Sequence, residues 1–360
     1  MNDILDYLDW RGDIAPETAE YNDVDYYIIS KIGCPDLSGI VPADSGTVSI
    51  AQAAEEYFIE DGRPLGILSS QHILDVFKKL PAMKRFSGLK LSGYMMLRSE
   101  RKTEQFSALT IILPNDDCFI SFRGTDDTLN AWKEDLELAV KDCVYAQKDA
   151  LDYLNWAAEQ YDGRLIIGGH SKGGNLAVYA ASMAPAEVQC RIRAVYSFDG
   201  PGFKPEFYTE SAYEAISGRL HDIVPETSIV GMLLDKAKEP EIVGCSKKGI
   251  ASHDGYVWHT SPKGFIRKKS LSQSSIALNE ATSQVLQEMS EDETEQMIEQ
   301  LFDALGGTGA KTITELAEQR LSSSIEVLKN LRSAHMVRSF SFRLLDSVIK
   351  CMVEHNLENL

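Results

Sequence analysis

The sharpest chemical signal in the chain is Gly169-His170-Ser171-Lys172-Gly173-Gly174, which directly follows the apolar run RLIIGG and directly precedes GNLAVYAASMA. A Gly-x-Ser-x-Gly pattern between a strand and a helix is a nucleophile elbow, a turn so tight that only small residues fit beside it, and it lifts the serine hydroxyl above the sheet edge. A serine nucleophile also needs donors for the oxyanion that forms when it attacks a carbonyl. The first is the N–H of the next residue, Lys172. The second comes from a loop after an earlier strand. Phe122-Arg123-Gly124-Thr125-Asp126 leaves a strand at the right place in chain order, and Thr125 offers both an N–H and a hydroxyl.

With such an elbow the acid and the base follow the serine, in that order. Of the seven histidines, His170 lies inside the elbow, His72 precedes it, and His335 and His355 fall on late helices. His221, His253 and His259 are left. His253 sits in Ala251-Ser252-His253-Asp254-Gly255, a polar turn after the strand-like EIVGCS, where a base carried beyond the last sheet strand belongs. His259 follows Trp258 in an apolar run and reads as a packed or surface residue. Two carboxylates end strands between Ser171 and His253. Asp199 closes RIRAVYSF and is followed by Gly200-Pro201-Gly202, a rigid turn at the sheet edge. Asp222 lies in LHDIVP on the next strand, and the residues alone leave both open as the acid.

The elements that must position these residues are legible as patterns. SGYMMLRS, FSALTIILP and DCFISFRG are short runs rich in β-branched and aromatic residues, the last two separated by Asn115-Asp116-Asp117, which predicts strands and a hairpin. LNAWKEDLELAV, ALDYLNWAAEQY and GNLAVYAASMA read as helices between the strands RLIIGG, RIRAVYSF, GRLHDIVP and EIVGCS. Strands alternating with helices predict a mostly parallel sheet covered by helices, an α/β fold. Residues 1–90 are helical in pattern: Ser49 opens IAQAAEEYFIEDG, Gly62 supplies its stop, and Ser70 caps HILDVFKKL, which Pro81 ends. From residue 271 the pattern is helical again, with SEDETEQMIEQ as a solvated helix start. Ile313, Leu316, Leu321, Ile325, Leu328 and Leu331 mark a later apolar face. The expected organisation is a helical segment 1–90, a catalytic core 91–270 and a helical region 271–360.

Composition bounds the function. The 36 Lys+Arg against 54 Asp+Glu give a net charge of −18 over 360 residues, which argues against nucleic acid as a partner because phosphate binding needs a basic footprint. The same charge disfavours docking to anionic bilayers and favours soluble or micellar substrates. Cys34, Cys118, Cys143, Cys190, Cys245 and Cys351 form no C-x-x-C pair, so neither a metal site nor a redox motif is signalled, and no cofactor is expected. MNDILDYLDW reverses the charge order of a signal peptide, and no apolar run approaches a membrane span. A cytoplasmic protein is the expectation. The oligomeric state is not readable.

Taken in order, SFRGTDDTLNAWKEDL, GGHSKGGNLAVYAA, SFDGPGF, PETSIVGMLL and ASHDGYVW resemble the Mbeg-like family of bacterial proteins, relatives of the α/β-hydrolases. ILDYLDWRGD and YNDVDYYII extend the resemblance towards the start of the chain. Phe122 to Thr125, Gly169 to Gly173 and Asp222-Ile223-Val224-Pro225 are more distantly similar to the oxyanion loop, elbow and D-x-V-P acid of class 3 lipases. The resemblance implies an α/β-hydrolase fold with helical N- and C-terminal additions and no cofactor. It also implies a serine hydrolase of small-molecule or lipid esters. The two likenesses disagree on the acid: the Mbeg-like pattern features Asp199, and the lipase pattern points to Asp222. Lys172 departs from the lipases, which carry an uncharged residue there. A cation in the first turn opposes the helix dipole, so a nearby carboxylate is expected to hold it, or else an anionic substrate group. The competing reading is a member of the fold that binds a ligand and has lost turnover.

Overall fold

The computed structural model describes residues 2–59, 72–99, 103–126, 128–312 and 334–358, single residues at 65, 70, 315 and 330, and the side chains of the last helix through 348. Eight strands lie side by side in chain order: β1 (Thr47–Ser49), β2 (Lys90–Ser99), β3 (Glu104–Ile112), β4 (Cys118–Phe122), β5 (Leu165–His170), β6 (Ile192–Phe198), β7 (Leu220–Pro225) and β8 (Glu241–Val243). From β1 to β4 the pairs are antiparallel, and from β4 to β8 they are parallel. The change of direction follows from the connections. A short turn through Asn115 and Asp116 can only reverse the chain, whereas the links after β4 are long enough to hold a helix and bring the next strand back parallel. The expected β3–β4 hairpin forms, closed by the Leu113 N–H donating to Asp117 at 2.9 Å. A small hairpin, β9 (Thr260–Ser261) with β10 (Gly264–Phe265), lies outside the main sheet.

The helices are α1 (Ile4–Arg11), α2 (Asp23–Ser30), α3 (Ile50–Ile59), α4 (His72–Lys79), α5 (Leu129–Glu137), α6 (Tyr145–Gln160), α7 (Lys172–Met183), α8 (Ala186–Gln189), α9 (Ser211–Ser217), α10 (Gln273–Gln287), α11 (Glu291–Gly306) and α12 (His335–Glu358). The Ser49 hydroxyl accepts from the Gln52 N–H at 3.1 Å as α3 begins, and Ser290 opens α11 in a reciprocal capping box with Glu293. After α4 the chain tightens into a 3-10 turn, Leu80–Ala82, at Pro81. Gly62 and the apolar positions Leu316, Leu321, Ile325, Leu328 and Leu331, with Ile313, lie outside the described residues.

The sheet sorts its side chains by parity. Phe119, Ile166, Tyr196 and Phe198 face one core with α1 to α4, and Cys118, Ile120, Phe122, Leu165, Ile167 and Val195 face the other with α6, α7 and α9. Strands buried on both faces carry no polar alternation, which is why these runs read as continuous apolar segments. Each such side chain contributes about 1.5–3 kcal/mol by leaving water. The N-terminal helices therefore complete the sheet's own core. Arg85 fixes their placement: it is fully buried, pairs both carboxylate oxygens of Asp25 at 2.6 and 2.5 Å, and donates to the carbonyls of Ile14, Ala19 and Glu20. The architecture is that of an α/β-hydrolase, and Ser171 and Asp199 directly follow two of its parallel strands, β5 and β6.

Candidate active site

Ser171 occupies the step from β5 to α7 with φ +61° and ψ −135°, outside the regions open to ordinary L-residues. Its surroundings enforce that geometry. A Cβ on Gly173 would stand 2.1 Å from the Phe122 carbonyl oxygen, and one on Gly169 would stand 2.4 Å from the same oxygen. Glycine at both positions lets β5 and the first turn of α7 close onto β4. The Ser171 N–H donates to the Phe198 carbonyl at 2.9 Å, tying the turn to the end of β6. Such a conformation costs about 1–3 kcal/mol and persists only where packing over-determines it.

Asp199, the residue after β6, is fully buried and also has a positive φ, +50°. Its N–H donates to the Ile223 carbonyl at 2.8 Å, which turns the carboxylate towards the loops beyond the sheet. One oxygen, Oδ1, accepts from the Ser228 hydroxyl at 2.5 Å and from the Gly231 N–H at 3.1 Å. The other, Oδ2, lies 2.6 Å from His253 Nδ1. His253 ends a 3-10 turn, Gly249–His253, and is partly exposed, with Nε2 as the ring nitrogen left over from the Asp199 contact.

Three groups hold the histidine loop in place. His170, the residue before the serine, directs Nε2 at the His253 carbonyl, 2.6 Å away, and the two rings are 4.3 Å apart. Burial, the Lys31 charge and His253 push the His170 imidazole well below its usual range, so it stays neutral and donates. Tyr27 on α2 accepts from the Gly255 N–H at 3.0 Å, and a Cβ at Gly255 would meet the Tyr27 ring at 2.3 Å. Trp258 Nε1 donates to the Ser252 carbonyl at 2.7 Å.

Asp222 is placed differently from Asp199. Its Oδ2 pairs with Lys236 Nζ at 2.7 Å, and Lys236 also donates to the Gly200 carbonyl at 2.9 Å. Asp222 borders a cavity of about 80 Å³ with Tyr208 and Tyr213. It is Asp199, not Asp222, that meets His253. The D-x-V-P likeness therefore leads to an aspartate with a structural ion pair, one strand too far from the histidine's partner. His259 is buried, with Nε2 at 3.0 Å from the Ser246 hydroxyl, as a packed histidine should be. His221 pairs with Glu241 at 3.0 Å on the outer strands.

The Lys172 cation is carried away from the serine. Its Nζ lies 2.9 Å from Glu134 Oε2 and 3.0 Å from the Gln105 carbonyl, in a pocket where both charged side chains are fully buried. A nearby carboxylate thus answers the unusual cation. Glu134 is itself saturated by the N–H groups of Gln105 and Ala146, both at 3.1 Å. Thr125 gives its hydroxyl to Asp135 Oδ2, which leaves its N–H as the group it can offer an oxyanion. Asp135 is pushed up to about 6, with burial outweighing the Lys172 charge and the Thr125 hydrogen bond.

The roles of Ser228, Gly231, Tyr27 and Glu134 were not legible beforehand. Ser228 and Gly231 stand in PETSIVGMLL, which carried the family resemblance without a chemical reason. Their reason is the Asp199 carboxylate. Among the described residues no group of His, Cys, Asp and Glu is arranged to hold a metal ion, and no helix is long and apolar enough to cross a membrane.

A family model described as Mbeg1-like matches residues 80–303. No curated protein matches the chain. Among solved structures it is similar to a lipase of Rhizomucor miehei in complex with its propeptide, at 15% identity, 61% of this chain, 68% of that one and a TM-score of 0.36. It is similar to M37 lipase at 14%, 59%, 69% and 0.35, and to Lip2 lipase from Yarrowia lipolytica at 14%, 57%, 83% and 0.33.

Proposed function

This chain belongs to the Mbeg1-like family, and for it we propose a serine hydrolase that cleaves carboxylic esters through an acyl-enzyme. The observation that carries the reading is the 2.6 Å contact between His253 Nδ1 and the buried Asp199, beside a serine held in a strained elbow conformation. Ser171 Oγ attacks the acyl carbonyl while its proton passes to His253 Nε2. The oxyanion is held by the N–H groups of Lys172 and Thr125, each worth about 3–4 kcal/mol in the transition state. The imidazolium then protonates the departing alkoxide as the C–O bond breaks, leaving the acyl group on Ser171. Water repeats the sequence: it loses a proton to His253, attacks the acyl carbon, and releases the carboxylic acid as Ser171 regains its proton. Asp199 accepts the Nδ1–H, fixes the tautomer and stabilises the imidazolium. Asp222 has no part in this scheme.

Support for an ester over other acyl substrates is the motif resemblance already described. The experiment compares kcat on a 4-nitrophenyl ester in Asp199→Asn and Asp222→Asn. Asp199→Asn is expected to lose on the order of 10⁴-fold, as when a triad tautomer is scrambled. Asp222→Asn is expected to lose less than about tenfold. Equal losses, or the reverse order, refute the triad as drawn.

A further inference from the structure

Lys31 and Arg123 are both about nine-tenths buried, at 9% exposure each, in a chain whose net charge is −18. Such bases are normally found with a carboxylate, as Arg85 has Asp25 and Lys172 has Glu134, because an unpaired buried charge costs several kcal/mol. Among the described residues neither Lys31 nor Arg123 has a side-chain hydrogen bond or ion pair. Asp126, nearest Arg123 in sequence, is occupied by Thr128 at 2.9 and 2.7 Å and by Arg98 at 2.9 Å. Asp254 influences Lys31 electrostatically, but its Oδ1 accepts from the Tyr256 N–H.

The two bases are brought together by the fold. The Ser121 hydroxyl on β4 donates to the Ser30 carbonyl at 2.9 Å, so the last turn of α2 rests on the strand that leads through Phe122 to Arg123. Lys31 follows Ser30 directly, its Nζ 5.4 Å from the centre of the Tyr27 ring. That ring meets His170, the neighbour of Ser171, edge-on at 5.8 Å. Arg123 precedes Gly124, whose Cβ, if it had one, would stand 3.2 Å from Ser171 Cβ. Two basic side chains without a side-chain ion pair among the described residues therefore lie near the elbow, one following α2 and one from the oxyanion loop.

We propose that Lys31 and Arg123 form an anion subsite beside Ser171, which selects esters carrying a carboxylate or phosphate group. The substrate supplies an ion-pair partner that none of the described residues supplies. Charge-assisted hydrogen bonds to such a group are about twice as strong as neutral ones, which favours an anion over a neutral group of similar shape. As a substrate preference this rests on Ser171 being the nucleophile, but the subsite itself does not.

The test separates the two. Thermal unfolding of the full chain is followed with monomethyl glutarate and with dimethyl glutarate, one anionic and one neutral. The monoanion is expected to raise the melting temperature of the wild type and of Lys31→Arg, and not of Lys31→Met. Equal shifts by both compounds, or a shift that survives Lys31→Met, overturn the subsite. If Lys31→Met does not fold, Lys31→Gln carries the same comparison. Hydrolysis then places the subsite on the substrate path. The preference for 4-nitrophenyl hydrogen glutarate over 4-nitrophenyl valerate, as a ratio of kcat/KM, is expected to fall about tenfold or more in Lys31→Met and to hold in Lys31→Arg. An unchanged ratio overturns the substrate preference. Anion binding without hydrolysis of any ester keeps the subsite and removes the hydrolase reading.

Discussion

Asp199 follows β6 and Asp222 lies within the neighbouring β7, and both are largely buried. Their neighbours separate them: Ser228, Gly231 and His253 surround the first, and Lys236 holds the second. Gly231 is critical here, because a Cβ at that position would stand 2.2 Å from Asp199 Oδ1. Gly231→Ala must push the carboxylate off the histidine or lose the fold of the loop. The variant is expected to lower kcat on a neutral 4-nitrophenyl ester by at least about 10²-fold, as misplacement by an ångström does. Ser228→Ala, which removes one of two donors to Oδ1, is expected to cost about tenfold. Unchanged kcat in Gly231→Ala would show that Asp199 is not held for catalysis. Reading the chain alone could name both aspartates but not choose between them. The choice depends on which side chains a loop more than twenty residues downstream brings back to β6, and no local pattern records that.

At the scale of elements, the strands and helices that carry the elbow were legible because each is either continuously apolar or amphipathic at one period. β4, β5, β6 and α7 form where their patterns predict. Less legible was the contribution of α2, whose residues look like packing material but supply Tyr27 under the histidine loop and lead into Lys31 against the Tyr27 ring. The carboxylates between β3 and α6 were also hidden, since their pairing is across elements. Asp149 on α6 is raised from 3.8 to about 7, by burial first and then by the hydrogen bond and charge of Glu104. Below about pH 4 native and unfolded chains both hold this proton. Between about 4 and 7 only the native chain holds it, so stability falls as pH rises and stays lowered above 7. Asp149→Asn removes that loss. Its melting temperature is expected to exceed the wild type's at pH 8, by on the order of 1 kcal/mol of stability after allowing for solvent screening of a half-buried group, and to match it near pH 4. A difference that does not shrink towards acid pH contradicts the assignment.

Across the whole molecule, the net charge of −18 is opposite in sign to Lys31 and Arg123 near the elbow. The bases near the elbow are embedded in an acidic body, which repels anionic surfaces at long range while leaving a short-range attraction for a small anion. The helices before β2 are part of this arrangement, because the core that buries Phe119, Tyr196 and Phe198 is built from them and the histidine loop leans on Tyr27. Those after β10 meet it through the Ser275 hydroxyl donating to the Ser228 carbonyl, the Ser272 N–H donating to the Glu226 carbonyl at 2.6 Å, and an apolar cluster that takes in Leu136 and Val140. A nucleophile assembled from so many elements should react only in the folded chain. The most direct test is to treat the native protein with a fluorophosphonate and map the adduct by mass spectrometry. One adduct on Ser171 is predicted, absent from Ser171→Ala, strongly slowed in His253→Ala and lost on denaturation. A native wild-type protein that takes no adduct on Ser171 would contradict the account and favour a hydrolase fold that only binds its ligand.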